Sequence, residues 1–249
     1  DGTPLTEAEQ GGSGTTSLSV GNSSSIISSI APKPSAYYSV RAFSGRVTIN
    51  GSSITLQKAS NSAISSESSS QISIGSSNTK LLDIQAGGWS TSTGAHSVQA
   101  QRQSNVVLDA ENISLKNISS VFNKQSTAID SAATSSIAIG SKNTRSLTIS
   151  EIYNSSTTYT NLGVNYKALY ANKSSTINLS ATNIDISAIF NNHSSFKENS
   201  YGFADQGLYA IDANKQSTIT VCDKSTKELS IISRTESKNG NNFTLSATN

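Results

Sequence analysis

The side chains of this chain that could do acid–base, nucleophilic or metal chemistry are few and far apart. Its two histidines, His96 and His193, fall in stretches outside the repeated segments described below, with no carboxylate or cysteine at metal-ligand spacing. The single cysteine, Cys222, cannot close an internal disulfide and reads as a small buried hydrophobe. Serines for a Ser-His-Asp triad abound, but no Gly-x-Ser-x-Gly elbow occurs, and Gly11-Gly12-Ser13-Gly14 reads as flexible leader. Polysaccharide lyases and hydrolases need clustered acids on one face. Asp130 and Asp212 share a repeat position but are separated by Tyr170, and Asp83 and Asp185 are separated by Ser114 and Thr148. Such carboxylates are the ordinary background of a solvated face. No phosphate loop, calcium nonapeptide, CxxC or zinc spacing is present. The expectation is no catalytic residue, no metal and no cofactor.

Recognition needs less. The two longest unpatterned stretches carry aromatics among hydroxyls and amides, which suits sugar or protein binding. The candidate ligand-binding residues there are Tyr159, Asn161, Asn165, His193, Phe196, Tyr201 and Phe203. An Asn112, Asn117, Asn154 or Asn242 glycan is written into Asn-x-Ser/Thr triplets, which a chain this rich in Asn and Ser produces freely.

Composition says what must position these groups. Ser, Thr and Asn number 52, 24 and 23, so 99 of 249 residues are small and polar, while 34% are hydrophobic and 14% charged. A compact enzyme core needs more apolar volume, and a disordered chain would carry more charge and Pro than the 3 prolines here. A thin, continuous core fits instead. A net charge of +2 without Lys/Arg clusters excludes nucleic acid as a partner. No run of 18 apolar residues occurs, so no segment reads as a spanning helix.

Six segments align: Ser39–Asn50, Ala63–Gly75, Ser97–Asp109, Ala128–Gly140, Ala168–Ser180 and Ala210–Cys222. Each opens with a small residue and an aliphatic (Val40, Ile64, Val98, Ile129, Leu169, Ile211). A polar stretch leads to an alternating pair: Val47/Ile49, Ile72/Ile74, Val106/Leu108, Ile137/Ile139, Ile177/Leu179 and Ile219/Val221. After a turn comes another: Ile54/Leu56, Leu82/Ile84, Ile113/Leu115, Leu147/Ile149, Ile184/Ile186 and Leu229/Ile231. Period-two alternation in short runs means short strands with one buried face. Three per repeat predict a triangular coil that buries its aliphatics only by stacking: an all-β parallel β-helix, a solenoid of three-strand coils.

Leu18-Ser19-Val20 reads as the second strand of a partial coil, after a leader or cap over residues 1–17. Phe243–Asn249 copies Ile177–Asn183, so the chain is expected to stop inside a coil of a β-helix over 18–249, as a fragment of a longer passenger, with Asp1 a processed or engineered start. First strands are spaced 24, 34, 31, 40 and 42 residues apart, counted from Val40 to Ile211, and the extra length falls after the third strand, at one corner. There an aromatic ladder (Trp89, Phe122, Tyr153, Phe190) beside an asparagine ladder (Asn123, Asn154, Asn191) is expected.

Ala168–Lys173 (AlaLeuTyrAlaAsnLys) with Ser175–Ser180, and Ala210–Lys215 (AlaIleAspAlaAsnLys) with Ser217–Val221, resemble the coils of bacterial autotransporter adhesin passenger domains. The resemblance implies a right-handed β-helix, display on the Gram-negative outer surface or secretion through a C-terminal barrel not contained in this sequence, and aggregation or attachment. The partner would be another copy of the chain, or a host or bacterial surface glycan or protein. Gln71–Gly75 and Ser136–Gly140 also resemble trimeric autotransporter heads, although those repeat about every 14 residues and these lie 65 apart. A carbohydrate-active enzyme on a β-helix stays open beside these readings.

Overall fold

The computed structural model describes residues 17–20, 26–30, 38–59, 62–87, 96–119, 126–155, 166–192, 208–236 and 243–248. All regular structure there is β. The first strands are β3 (Tyr38–Phe43), β6 (Ser62–Glu67), β9 (His96–Gln101), β12 (Ser126–Ala132), β15 (Tyr166–Asn172) and β18 (Leu208–Ala213). The second strands are β1 (Ser17–Val20), β4 (Arg46–Ile49), β7 (Gln71–Gly75), β10 (Asn105–Asp109), β13 (Ser136–Gly140), β16 (Thr176–Ser180) and β19 (Thr218–Val221). The third strands are β2 (Ile26–Ile30), β5 (Ser53–Ala59), β8 (Leu81–Ala86), β11 (Asn112–Ser119), β14 (Ser146–Ser155), β17 (Asn183–Asn192) and β20 (Glu228–Glu236), followed by β21 (Phe243–Thr248).

Each set forms its own sheet, and every neighbouring pair is parallel except β20–β21. Six coils therefore wind as a right-handed parallel β-helix, β3-β4-β5 being coil one and β18-β19-β20 coil six. The alternating aliphatics face inward and meet their copies in register: Ile49, Ile74, Leu108, Ile139 and Leu179 form one column, each at most 2% exposed. Each fully buried aliphatic contributes about 1.5–3 kcal/mol, so stacking holds the rod together. Leu18 pairs with Val47 and Val20 with Ile49, as the partial first coil requires.

The end departs from expectation. Phe243–Thr248 does not extend the second-strand sheet. It folds back antiparallel on β20, with Ser230 opposite Ser246, and so covers that edge of the third-strand sheet. A seven-residue sequence match cannot distinguish two sheets that both accept alternating aliphatics. Residues 1–16 lie outside the described residues.

Two corners are built differently. Between first and second strands, successive non-glycine residues take left-handed φ, for example Ser68/Ser69, Arg102/Gln103 and Lys173/Ser174 at 56–63°. Isolated, each would be strained. Stacking over-determines them: Ser69 N–H donates to Arg102 O (2.9 Å), Gln103 N–H to Ala133 O (2.9 Å) and Thr134 N–H to Lys173 O (2.9 Å). Inside this corner runs a serine column in which Ser70 Oγ donates to Ala42 O (3.0 Å) and Ser175 Oγ to Ser131 O (2.5 Å).

Between second and third strands, long and short turns alternate. Coils two, four and six carry Ser76–Lys80, Ser141–Arg145 and Asp223–Lys227, while coils one, three and five pass through Gly51, Ala110 and Ala181. In the long turns a threonine hydroxyl reaches down to the short turn, Thr79 Oγ1 to Gly51 O (2.7 Å) and Thr144 Oγ1 to Ala110 O (2.8 Å). The residue before each long turn has positive φ: Gly75 at 78°, Gly140 at 79°, Cys222 at 90°. A Cβ on Gly140 would lie 2.0 Å from Ser180 O in the coil above. Cys222 tolerates its Cβ where no described strand lies above β19. The two segments that end in Gly75 and Gly140, 65 residues apart, are thus second strands two coils apart in one rod.

Ile139→Asp, at a fully buried position, should cost several kcal/mol of unfolding free energy. Ala138→Asp, on the outward side between Val107 and Asn178, should stay within about 0.5 kcal/mol. Urea unfolding followed by circular dichroism compares them, and equal losses would break the inside/outside register. By the same assay Gly140→Ala should destabilise, whereas Cys222→Gly, which relieves a left-handed non-glycine, should stabilise by up to about 1 kcal/mol.

Candidate functional site

The first-strand sheet brings together polar residues that sequence order keeps 31 to 45 apart. Its geometry begins with the small residue that opens each repeat. The backbone register skips it, passing from Ser62 to Ile64, Thr127 to Ile129 and Lys167 to Leu169. Ala63, Ser97, Ala128 and Ala168 occupy this kink with no exposure, so only a small side chain fits. The irregularity carries the residue two places before the aliphatic to the side of the residue just after it: Lys167 Nζ lies 3.7 Å from the centre of the Tyr170 ring.

That displaced residue reaches the next coil. His96 Nε2 lies 4.0 Å from Asp130 Oδ2, and Lys167 Nζ lies 2.5 Å from Asp212 Oδ2. Asp130, Tyr170 and Asp212 stand in register on adjacent strands. Gln99 Nε2 donates to Asp130 Oδ2 (3.2 Å). The carbonyl of Thr127, 2.9 Å from His96 Nδ1, can only accept, which places a proton on that nitrogen. His96, Asp130 and Lys167 are 7–8% exposed, and Asp130 Oδ1 is buried with no hydrogen-bond partner. Burial raises the Tyr170 phenol above its ordinary range, and the Asp212 and Asp130 carboxylates push it further, so it remains a neutral hydroxyl at physiological pH.

His96 therefore belongs to β9 and not to an insertion, and Asp130 and Asp212 are paired groups rather than carboxylates of a solvated face. Sequence reasoning saw Asp130, Tyr170 and Asp212 as one position but missed His96 and Lys167, because their contacts run diagonally to the next coil. Chemically the arrangement braces one coil to the next with desolvated charge. Among the described residues no three His, Cys, Asp or Glu side chains are grouped to hold a metal ion. Asp83 and Asp185 stand on the third-strand sheet with Ser114 and Thr148 between them, as expected.

Lower on the same sheet, Arg41 pairs with Glu67 (3.4 Å) and lies 4.9 Å from the Tyr38 ring centre and 5.8 Å from that of Phe43, which is 56% exposed. On the second-strand sheet a shallow open groove is lined by Arg46, Gln71, Ser73, Asn105, Val107 and Ser136. There Ser136 Oγ donates to Asn105 Oδ1 (2.6 Å).

Tyr159, Asn161, Asn165, His193, Phe196, Tyr201 and Phe203 lie outside the described residues, as do Trp89, Phe122, Asn123 and Asn242. The aromatic ladder holds in backbone register for Tyr153 opposite Phe190 and Asn154 opposite Asn191. Below, Tyr153 pairs with Ser119. Asn117 is no glycan acceptor in the folded chain: it points into the rod, fully buried, and its amide donates to the buried Glu151 carboxylate (2.7 Å).

Asp130→Ala should lower stability by about 1–3 kcal/mol, since it strips His96 and Gln99 of a buried partner. The same change at Asp83, partly exposed, should stay within about 0.5 kcal/mol. Equal effects in chemical unfolding would show that the cluster braces nothing. Comparison with protein-family models, with curated proteins and with solved structures finds no match to the chain.

Proposed function

We propose that the chain is a non-enzymatic adhesin displayed on a bacterial outer surface or secreted, which binds another copy of itself or a surface glycan or protein through the sides of the rod and its variable corner. The observation that carries this reading is the outward register of the second-strand sheet. Thr48, Ser73, Val107, Ala138, Asn178 and Thr220 follow one another up the rod, with Arg46, Gln71, Asn105, Ser136, Thr176 and Thr218 beside them. One charge among twelve such positions, repeated at about 4.8 Å, makes a long ruled surface of hydroxyls, amides and small apolar groups. Individually weak contacts to such a surface add through multivalency. The open groove and the exposed Phe43 and Val107 suit a flat partner better than an enclosed small molecule.

The second reading, a carbohydrate-active enzyme, has one observation in its favour: the His96–Asp130 and Lys167–Tyr170–Asp212 groups gather acid–base side chains on one face. His96, Asp130 and Lys167 are nearly buried and give a polymer little to reach, which is why the adhesin reading is preferred.

Displayed on otherwise non-clumping cells, the chain should cause clumping of displaying cells or capture of bare cells or glycan-coated beads. Deleting residues 192–205 should preserve the β circular dichroism signal and reduce capture. Absence of clumping and of capture, with new reducing ends or unsaturated products from polysaccharide mixtures, would replace this reading by the enzymatic one.

A further inference from the structure

We propose that Lys167 and Asp212 condense to an intramolecular isopeptide bond that ties coil five covalently to coil six. The two groups sit on neighbouring strands held in register, with Tyr170 opposite Asp212 and Lys167 opposite Tyr209. Nζ and Oδ2 are 2.5 Å apart, the lysine side chain is only 9% exposed and the aspartate 27%. The Tyr170 ring covers Nζ at 3.7 Å. Fixed geometry converts a slow bimolecular condensation into an intramolecular one with a high effective concentration.

In the reacting form one proton has passed across the contact from Nζ to Oδ2, which leaves a neutral amine facing a carboxylic acid. The Nζ lone pair then attacks Cγ of Asp212, and the bond from Cγ to Oδ2 breaks. Nζ begins with three protons and ends with one. The other two leave with Oδ2 as water, charge is zero before and after, and no oxidant or activated donor is consumed. Among the described residues the other close lysine–carboxylate pair makes the contrast: Lys80 lies 2.8 Å from Glu111, but its side chain is 74% exposed and free to leave the contact, so the pair stays a salt bridge.

The experiment is the intact mass of the full chain under denaturing conditions. The expected result is a mass about 18 Da below that of the sequence, one water. Fragmentation should show a branched peptide joining Lys167 to Asp212. Lys167→Arg and Asp212→Ala should each return to their own full sequence mass. Asp212→Asn should lose about 17 Da instead, because ammonia is then the leaving group. A wild-type chain at its full sequence mass would overturn the proposal. So would a mass loss mapped to a succinimide at Asn239-Gly240 or Asp1-Gly2.

Discussion

Every side chain in this rod stands a strand spacing away from its own counterpart, and that repetition is the constraint from which the rest follows. Parallel in-register strands lie about 4.8 Å apart, so a residue type at one repeat position must tolerate neighbours of the same kind above and below. Aliphatics do this well and form the columns through Ile49, Ile74, Leu108, Ile139 and Leu179. Serine does it at the inner corner, where the Ser70 and Ser175 hydroxyls meet carbonyls of the neighbouring coil. Like charges do it badly. The charge-poor composition is therefore a consequence of the architecture before it is a statement about ligands.

At the corner between second and third strands, signs alternate along the rod from Lys80 through Glu111 to Arg145. Glu111 sits between Lys80 (2.8 Å) and Arg145 (3.2 Å), and those cations hold its carboxyl below the usual range. Asp130, Tyr170 and Asp212 follow one another on another face, where the neutral Tyr170 separates the two carboxylates and Lys167 pairs with Asp212. The same stacking that forces short like-charge distances also creates narrow, desolvated opposite-charge contacts. Chemistry in such a rod arises between coils and not within them.

The column structure was legible in sequence because it depends on residue type alone. Val40, Ile64, Val98, Ile129, Leu169 and Ile211 occupy one column as aligned, and both aliphatic pairs of each repeat do likewise. What was not legible depends on position relative to a kink. The small residue at the head of each repeat looked like punctuation, yet it is the reason His96 and Lys167 reach across to the next coil. The fold-back of β21 was hidden for another reason: Phe243-Thr244-Leu245 satisfies either sheet, and the choice is made by backbone pairing. Tyr159 and the other insertion residues had no repeat pattern to place them.

The alternation of long and short turns has a bearing on how such a rod can change length. Thr79 and Thr144 each hang on the short turn beneath, while Gly75 and Gly140 each lie under a short turn's carbonyl. Removing one coil would seat like turn on like turn, long on long or short on short, and lose the pairing of the two kinds. Removing two would keep long turns alternating with short ones. The structural repeat at this corner is accordingly a pair of coils and not a single one, like a ladder built from double rungs.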